Sequence, residues 1–550
     1  MILPSSKTEL LRQVLNIKEA CRASAGQRAA LCRVHNLWVE TGRDSGQRAL
    51  VNKLFAHVDR LQSHLFSPAE LRFVLDYEAH YAADVLAKGE VAARVLTREW
   101  ERKDIDVQFG NAVNLALQYG GAIMKQMWGH SGVEARVVMP WQFGVYREDI
   151  NSIEEQEALC ESGLMTLPEV WRRISHLPDA ESMFTRIRAN ASRETTETLN
   201  GNFFHNVLST SILNTTGIES ARQTPGGVVQ LAGTGGGSMV GPQVNIDLVP
   251  FHELWVKDDE REDYTTVLLI EPDILVSPYF KRENMFAPKT QPFSLVQPNQ
   301  TAGYFWGRSE IVDLMEPQGL LATWMDDLRR LMGVQFDKIL AFVGADGITD
   351  EKYDEFRAAG YVDLPAGASV NDLTPGLPPQ TFQAIDTLNK FMEEVSGFSN
   401  ILSGQGEMGV RSGNHAETLS KMASPRLRDR SLLVERQCAA MADKTLDLLQ
   451  AKDAQEYMTE DKKGFLLHDL PEDRRVIVDS HSSSPIFADN HQQLIAFGLK
   501  SGFIGGESAI EMLPFPQKDI LKQRYAEMQQ QKAKMIQEHP ELLGKGKGKH

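Results

Sequence analysis

The sequence predicts an α+β fold, mainly helical, and three observations carry that expectation. Long stretches repeat apolar residues three and four apart, several short runs between positions 135 and 270 alternate or run apolar as strands do, and glycines punctuate the gap between two of the longest helical patterns. With 550 residues the chain has material for several buried cores.

From Ser6 to about Phe66 the pattern is helical and amphipathic: Leu10, Leu11, Val14, Leu15 and Ile17 are followed by Val51, Leu54, Phe55, Val58 and Leu61. A further helix is expected from Asp106 to Met127, running into a turn at Trp128-Gly129-His130-Ser131-Gly132. Two short strands, 135–140 and 142–146, are expected to meet at Pro140. Helical patterning returns between Leu164 and Ala191, after which Val244–Val249, Glu253–Lys257 and Thr265–Ile270 read as strands. The last two flank the acidic run Asp258-Asp259-Glu260-Arg261-Glu262-Asp263, which is read as a solvated hairpin tip in preference to a site for a hard cation.

The glycine-rich piece from Pro225 to Ser238 fails as a phosphate loop. No Lys lies between Pro225 and Pro242, and Val240-Gly241-Pro242 leads into a strand where a nucleotide fingerprint needs a helix.

The stretch from Tyr304 onward is the most informative. Ser309 is placed to cap a long amphipathic helix through Ile311, Leu314, Leu321, Trp324, Leu328 and Ile339, with Pro317 expected to kink it or to begin a second segment. A short strand (Leu340–Val343), a turn at Asp346-Gly347, a brief helix from Thr349 to Gly360 and a strand Tyr361–Leu364 form a small α/β module. A helix from Pro379 to Val395 follows, with Phe382, Ile385, Leu388, Met392 and Val395 on one face and Gly397 ending it. The loop Ser403 to Gly413 carries four glycines, and Asn414 with Glu417 opens the next helix as a capping box. On local sequence alone such a loop reads as a connector. The helix from Asn414 to about Gln450 contains Pro425, a predicted kink, and a polar side with Arg426, Arg428, Arg430 and Arg436. That side reads either as a solvated face or as one turned to a neighbouring subunit or to DNA. A strand is expected at Arg475–Asp479 and helices at 490–499 and 517–538. The Gly-Lys tail reads as a solubilising end or as a nucleic-acid contact.

Composition narrows function. A net charge of -16 argues against gripping nucleic acid along the whole surface. Hydrophobic residues make up 42% and mean hydropathy is -0.31; no apolar run reaches the roughly eighteen residues a membrane span needs, so no membrane partner is expected. The opening Met1-Ile2-Leu3-Pro4-Ser5-Ser6-Lys7 lacks a secretory pattern, and synthesis in the cytoplasm is expected. Cys21, Cys32, Cys160 and Cys438 are too scattered for a zinc site or a disulfide framework. No Walker A, paired carboxylates at convincing spacing or histidine cluster points to an enzyme, and no cofactor or metal is expected.

The order of these features resembles a portal protein of tailed bacteriophages, the head-to-tail connector at one capsid vertex. Leu117-Gln118-Tyr119-Gly120-Gly121 with Met124, Lys125, Trp128 and Val137-Val138-Met139-Pro140 is similar to the family's wing. Pro292 to Asn299 and Gly303 to Ser309, leading into Met315-Glu316-Pro317-Gln318, resemble the approach to its stem helix. The likeness spans about Val107 to Leu449. It implies a portal-type architecture of wing (1–308), stem helix (309–339), clip (340–378), returning stem helix (379–402), tunnel loop (403–413), wing spine helix kinked at Pro425 with a closing strand (414–484), and crown with basic tail (485–550). No family feature corresponds to the N-terminal helices or to the loop Gln223–Pro242.

By the same resemblance the chain is expected in the virion, as a homo-oligomeric ring, a dodecamer, that performs no chemistry. Double-stranded DNA passes through such a ring, driven in by terminase. A head-tail adaptor and the major capsid or scaffold protein are its other partners. The implied DNA-facing residues are Gly404, Gln405, Gly406, Glu407, Met408, Gly409, Val410, Arg411, Ser412, Gly413, Asn414 and Lys421. The implied contacts to terminase and adaptor are Asp350, Lys352, Tyr353, Glu355 and Arg357. A channel wall suits an acidic chain, because DNA carries about one charge per 1.7 Å and tight phosphate contacts would impede sliding. A minor capsid or scaffold protein without a channel fits the composition equally well; a phage enzyme acting on DNA fits it less well.

Overall fold

The computed structural model describes residues 7–44, 48–68, 71–77, 81–129, 132–195, 245–276, 284–336, 340–344, 349, 351–352, 354–355, 366–374, 380–397, 425–459, 462–478, 497–501, 503, 505–506, 509–510, 524–525 and 527–529. Among them the architecture is mixed α+β.

The chain opens on α1 (Lys7–Thr41) and α2 (Lys53–Leu65), the helices the N-terminal pattern predicts. Leu10, Val14, Ile17 and Cys21 recur at helical spacing and pack against Leu254, Val256, Val267 and Leu269 of the largest sheet. Asn52 caps α2, its side chain accepting from the backbone N–H of Leu54 (3.1 Å) and Phe55 (3.4 Å). After β1 (Phe73–Tyr77), α3 (Ala83–Arg102) and α4 (Ile105–Tyr119) bury Leu96, Trp100, Phe109, Val113 and Leu117.

The helix expected over 106–127 is corrected here: α4 stops at Gly120, and β2 (Ala122–Gly129) follows. Gly120 has φ 88°, and a Cβ there would lie 2.2 Å from the carbonyl oxygen of Gly307, so the chain turns at the one residue type that fits. β3 (Gly132–Val138) and β4 (Phe143–Val145) are the two strands expected around Pro140, placed in different sheets. β5 (Ala158–Thr166) is a strand where helical patterning was expected from Leu164. α5 (Leu167–Ile174) and α6 (Ala180–Ala189) supply the helices of that region, α5 opening on a capping box between Thr166 and Glu169.

β6 (Ser192–Thr195), β7 (Asn245–Asp258), β8 (Asp263–Ile270), β9 (Ile274–Val276) and β10 (Phe293–Val296) follow, with the acidic run at the β7–β8 hairpin tip. The two expected strands at 244–249 and 253–257 are one continuous strand through Pro250. α7 (Val312–Phe336) passes through Pro317 as a single helix, with no second segment beginning there. Next come β11 (Leu340–Val343), β12 (Ser369–Asp372), α8 (Gln380–Ser396), α9 (Pro425–Lys452), β13 (Glu456–Met458), β14 (Gly464–Leu466) and β15 (Arg474–Val478). The Gln223–Pro242 loop, the strand expected at 361–364 and most of the two C-terminal helices lie outside the described residues.

The sheets run β4-β5-β7-β8-β9, with β6 also on β7, and β10-β2-β3; the pairs β1-β15, β11-β12 and β13-β14 are two-stranded. α9 lies in the core: Val434, Cys438, Met441 and Leu446 belong to the main hydrophobic cluster, and the helix packs on the three-stranded sheet, α2 and α3. Trp100 donates from Nε1 to Thr445 Oγ1 (3.1 Å), so this fully buried ring also finds its polar partner. Between the two large sheets sits a buried charge network. Lys125 of β2 donates to Glu161 of β5 (2.7 Å) and Glu253 of β7 (2.6 Å), Trp255 donates to Glu253 (2.9 Å), and Arg136 of β3 pairs with Glu161.

α9 also holds a pH-sensitive group. Burial, reinforced by Asp447 one turn on, pushes the Asp443 carboxyl up to about 6 from its ordinary 3.8, against the pull of Arg474 and Lys444. The folded state therefore binds this proton more tightly than the unfolded chain does. The resulting stability is complete below about pH 3.8 and is lost as pH rises through about 6. Asp443→Asn is expected to raise stability by about 1–2 kcal/mol at pH 7.5 and by almost nothing at pH 4, read from thermal unfolding at the two pH values.

Candidate functional site

α7 and α8 pack against each other, and the antiparallel pair β11-β12 joins them, Leu340 standing opposite Asp372. Because α7 runs into β11 and β12 precedes α8, the helices form a hairpin with a stranded tip. Its base is fixed to the body. Leu314, Leu321 and Ala322 are buried, Gln318 donates to Val51 O (2.8 Å) and accepts from Lys53 N–H (3.1 Å), and Arg43 pairs with Asp326. On α8, Leu388 and Met392 are buried as the sequence pattern predicts, and Ile385 packs half-buried.

The rest of the hairpin departs from that pattern. Phe382 (59% exposed) and Val395 (44%), assigned by their spacing to the same helical face as Leu388 and Met392, are open; so is Phe391 (55%). Leu320 and Met332 of α7, Val343 of β11 and Leu373 beyond β12 are exposed as well. Scattered exposed apolar residues are ordinary, but here they concentrate on one hairpin that carries two of the chain's exposed phenylalanines. Phe391 was missed because helical period alone places it off the Phe382 stripe.

At the foot of the hairpin, Glu310 ties three helices together. Its carboxylate pairs with Arg430 of α9 (2.9 Å) and His57 of α2 (3.6 Å), and Asn299 donates to it (3.0 Å). Burial would push the Glu310 carboxyl up, yet the bonds from His57 and Arg430 outweigh it and hold it below the usual range. Arg430 is only 7% exposed, so the arginine-rich side of this helix is not uniformly solvated; Arg428 and Arg436 remain exposed. A cavity of about 220 Å³ beside this pair is lined by Arg308, Asp313, Val395 and Arg430. Val395 of α8 and Arg430 of α9 thus border the same cavity.

Of the residues implied by the family resemblance, Gly404, Gln405, Gly406, Glu407, Met408, Gly409, Val410, Arg411, Ser412, Gly413, Asn414 and Lys421 lie outside the described residues. Pro425 begins the described part of α9, so the predicted kink is also outside them. Lys352 and Glu355 are helical and exposed within the tip, while Asp350, Tyr353 and Arg357 are outside the described residues. Among the described residues no group of three or more His, Cys, Asp or Glu side chains is arranged to hold a metal ion. No described helix is long and apolar enough to cross a membrane.

No protein-family model matches the chain, and no curated protein matches it. Among solved structures, a chain of one titled "Virion of native gene transfer agent (GTA) particle" is similar over 88% of this chain and 93% of its own length, at 12% identity and a TM-score of 0.40.

Proposed function

We propose that this chain is a portal protein: a subunit of a closed ring at one capsid vertex, through which terminase drives double-stranded DNA and from which the genome leaves. The observation that carries the reading is the α7–α8 hairpin, rooted in the body at Gln318 and Glu310, tipped by β11-β12, and open along Phe382, Phe391 and Val395. A two-helix projection with uncovered apolar side chains suits packing against copies of itself. In a cyclic ring each copy then covers its neighbour's exposed patch. By the family resemblance segment 403–413 would serve as the tunnel loop, and Val395 and Arg430, which flank it in the sequence, line one cavity. The tip, with Lys352 and Glu355 exposed, would meet terminase during packaging and an adaptor ring afterwards. The protein would perform no chemistry, the capsid or scaffold protein would surround it, and its place would be the virion.

Electron microscopy of the purified chain is expected to show rings with an axial hole; filaments or monomers would sink the proposal in favour of a scaffold role. Charge reversal at Lys352 and Glu355 should weaken capture of the adaptor while leaving the rings whole.

A further inference from the structure

β4 covers only half of β5. It pairs Phe143, Gly144 and Val145 with Glu161, Cys160 and Leu159, and the ladder ends where Ser162 N–H donates to Gln142 O (2.7 Å). Beyond that point, among the described residues, β5 is paired to β7 alone. Ala158 O accepts from Tyr146 N–H and Ser162 N–H donates to Gln142 O, so the even-numbered residues of β5 turn their backbone groups toward this edge. Thr166 N–H is already taken by Glu169 (3.0 Å). Leu164 therefore presents an N–H and a C=O with no strand opposite among the described residues, and its side chain is 57% exposed.

A cavity of about 320 Å³ runs beside this edge, lined by Arg136, Leu164, Met165, Arg172, Arg173 and Phe251 among others. Arg136 is held by Glu161, whose second oxygen Lys125 occupies. Arg172 and Arg173 are exposed and make no hydrogen bond or ion pair among the described residues.

We propose that this recess receives an extended acidic peptide segment of a partner protein, which adds as a short strand at Leu164 and sets carboxylates against Arg172, Arg173 and the outer side of Arg136. The edge offers one donor and one acceptor, which a peptide backbone reciprocates and the phosphodiester of a duplex, an acceptor only, does not. Leu164, Met165 and Phe251 add an apolar wall suited to alternate side chains of a strand. The site stands apart from the α7–α8 hairpin, so it holds whether or not the chain forms rings.

The test uses the full chain and a fluorescein-labelled peptide of alternating Glu and Val, followed by fluorescence anisotropy. Saturable, salt-sensitive binding is expected. Arg172→Glu combined with Arg173→Glu should weaken it by about tenfold or more, with thermal unfolding unchanged because both side chains are exposed. Leu164→Pro, which removes the outward N–H, should weaken it severalfold with the arginines intact. A peptide with proline in place of Val should bind severalfold more weakly to the unaltered chain, which tests strand addition even if Leu164→Pro does not fold. Binding indifferent to the arginine reversals, or equal binding of the proline peptide, overturns the proposal. Displacement of the peptide by duplex DNA or inorganic phosphate at matching concentration would also overturn it, reassigning the recess to a phosphate.

Discussion

Lys125→Met is expected to destabilise the fold by about 3–5 kcal/mol at pH 7, because it strips the cation from two carboxylates that are almost fully buried. Lys125 is itself 4% exposed, and its Nζ is the bridge between β2 and the larger sheet. The effect carries a pH signature. Burial alone would push the Glu253 carboxyl up, but Lys125 and the Trp255 N–H hold it below its ordinary 4.5. In the native chain that contribution is full above about pH 4.5 and is lost as pH falls through the depressed value. Without Lys125, burial dominates and the carboxyl accepts a proton more readily. The deficit of Lys125→Met relative to the native chain should therefore shrink as pH is lowered from 7 toward 5, and adding Glu253→Gln should restore part of the loss at pH 7. Urea unfolding of the three proteins at both pH values reads this directly. A deficit independent of pH would mean that lost packing, and not an uncompensated charge, explains the change.

On the proposed ring assembly, Phe382→Glu combined with Phe391→Glu is expected to leave the isolated subunit as stable as before and to prevent assembly. Both side chains are more than half exposed in the single chain, so a charge there costs the subunit little. Covered by a neighbour, each phenylalanine contributes about 1.5–3 kcal/mol, and a buried, unpaired glutamate would reverse the sign. Light scattering of the variant should return the subunit mass with an unchanged unfolding midpoint. Rings that persist would move the subunit boundary away from α8 and remove the main support for the portal reading.

Much of this architecture was legible because it is local. β11 stood out as an apolar run followed by a turn, α2 by the spacing of Leu54, Val58 and Leu61, and α8 by its period and the glycine that ends it. The misreadings share a cause. Ala122–Met127 contains Met, Lys and Gln, residues at ease in a helix, and becomes a strand because β3 and β10 lie on its two edges. β5 likewise has no β-branched residue before its final Thr166 and is held as a strand by nine pairings with β7. Neither partner can be seen from within the segment. The same limit hid the Lys125 network, whose partners are 36 and 128 residues away, and the buried pairing of Arg430 with Glu310. At the hairpin, helical period told which side chains share a face but not what covers it, so the exposure of Phe382 and Val395 beside buried Leu388 and Met392 could not be read from spacing.

The pairing of β1 with β15 sets an order of events during translation. Phe73 lies opposite Val478 and Tyr77 opposite Arg474, so an early strand waits for a partner that leaves the ribosome only after α7, α8 and α9 have been made. Such a distant closure is slow compared with forming the helices in between. The hairpin therefore emerges, with its phenylalanines open, while the body beneath it is still unfinished. Assembly competence would arrive in one late step, when residues 474–478 zip onto β1, and a chain stalled before that point would offer the apolar hairpin without the rigid base that orients it.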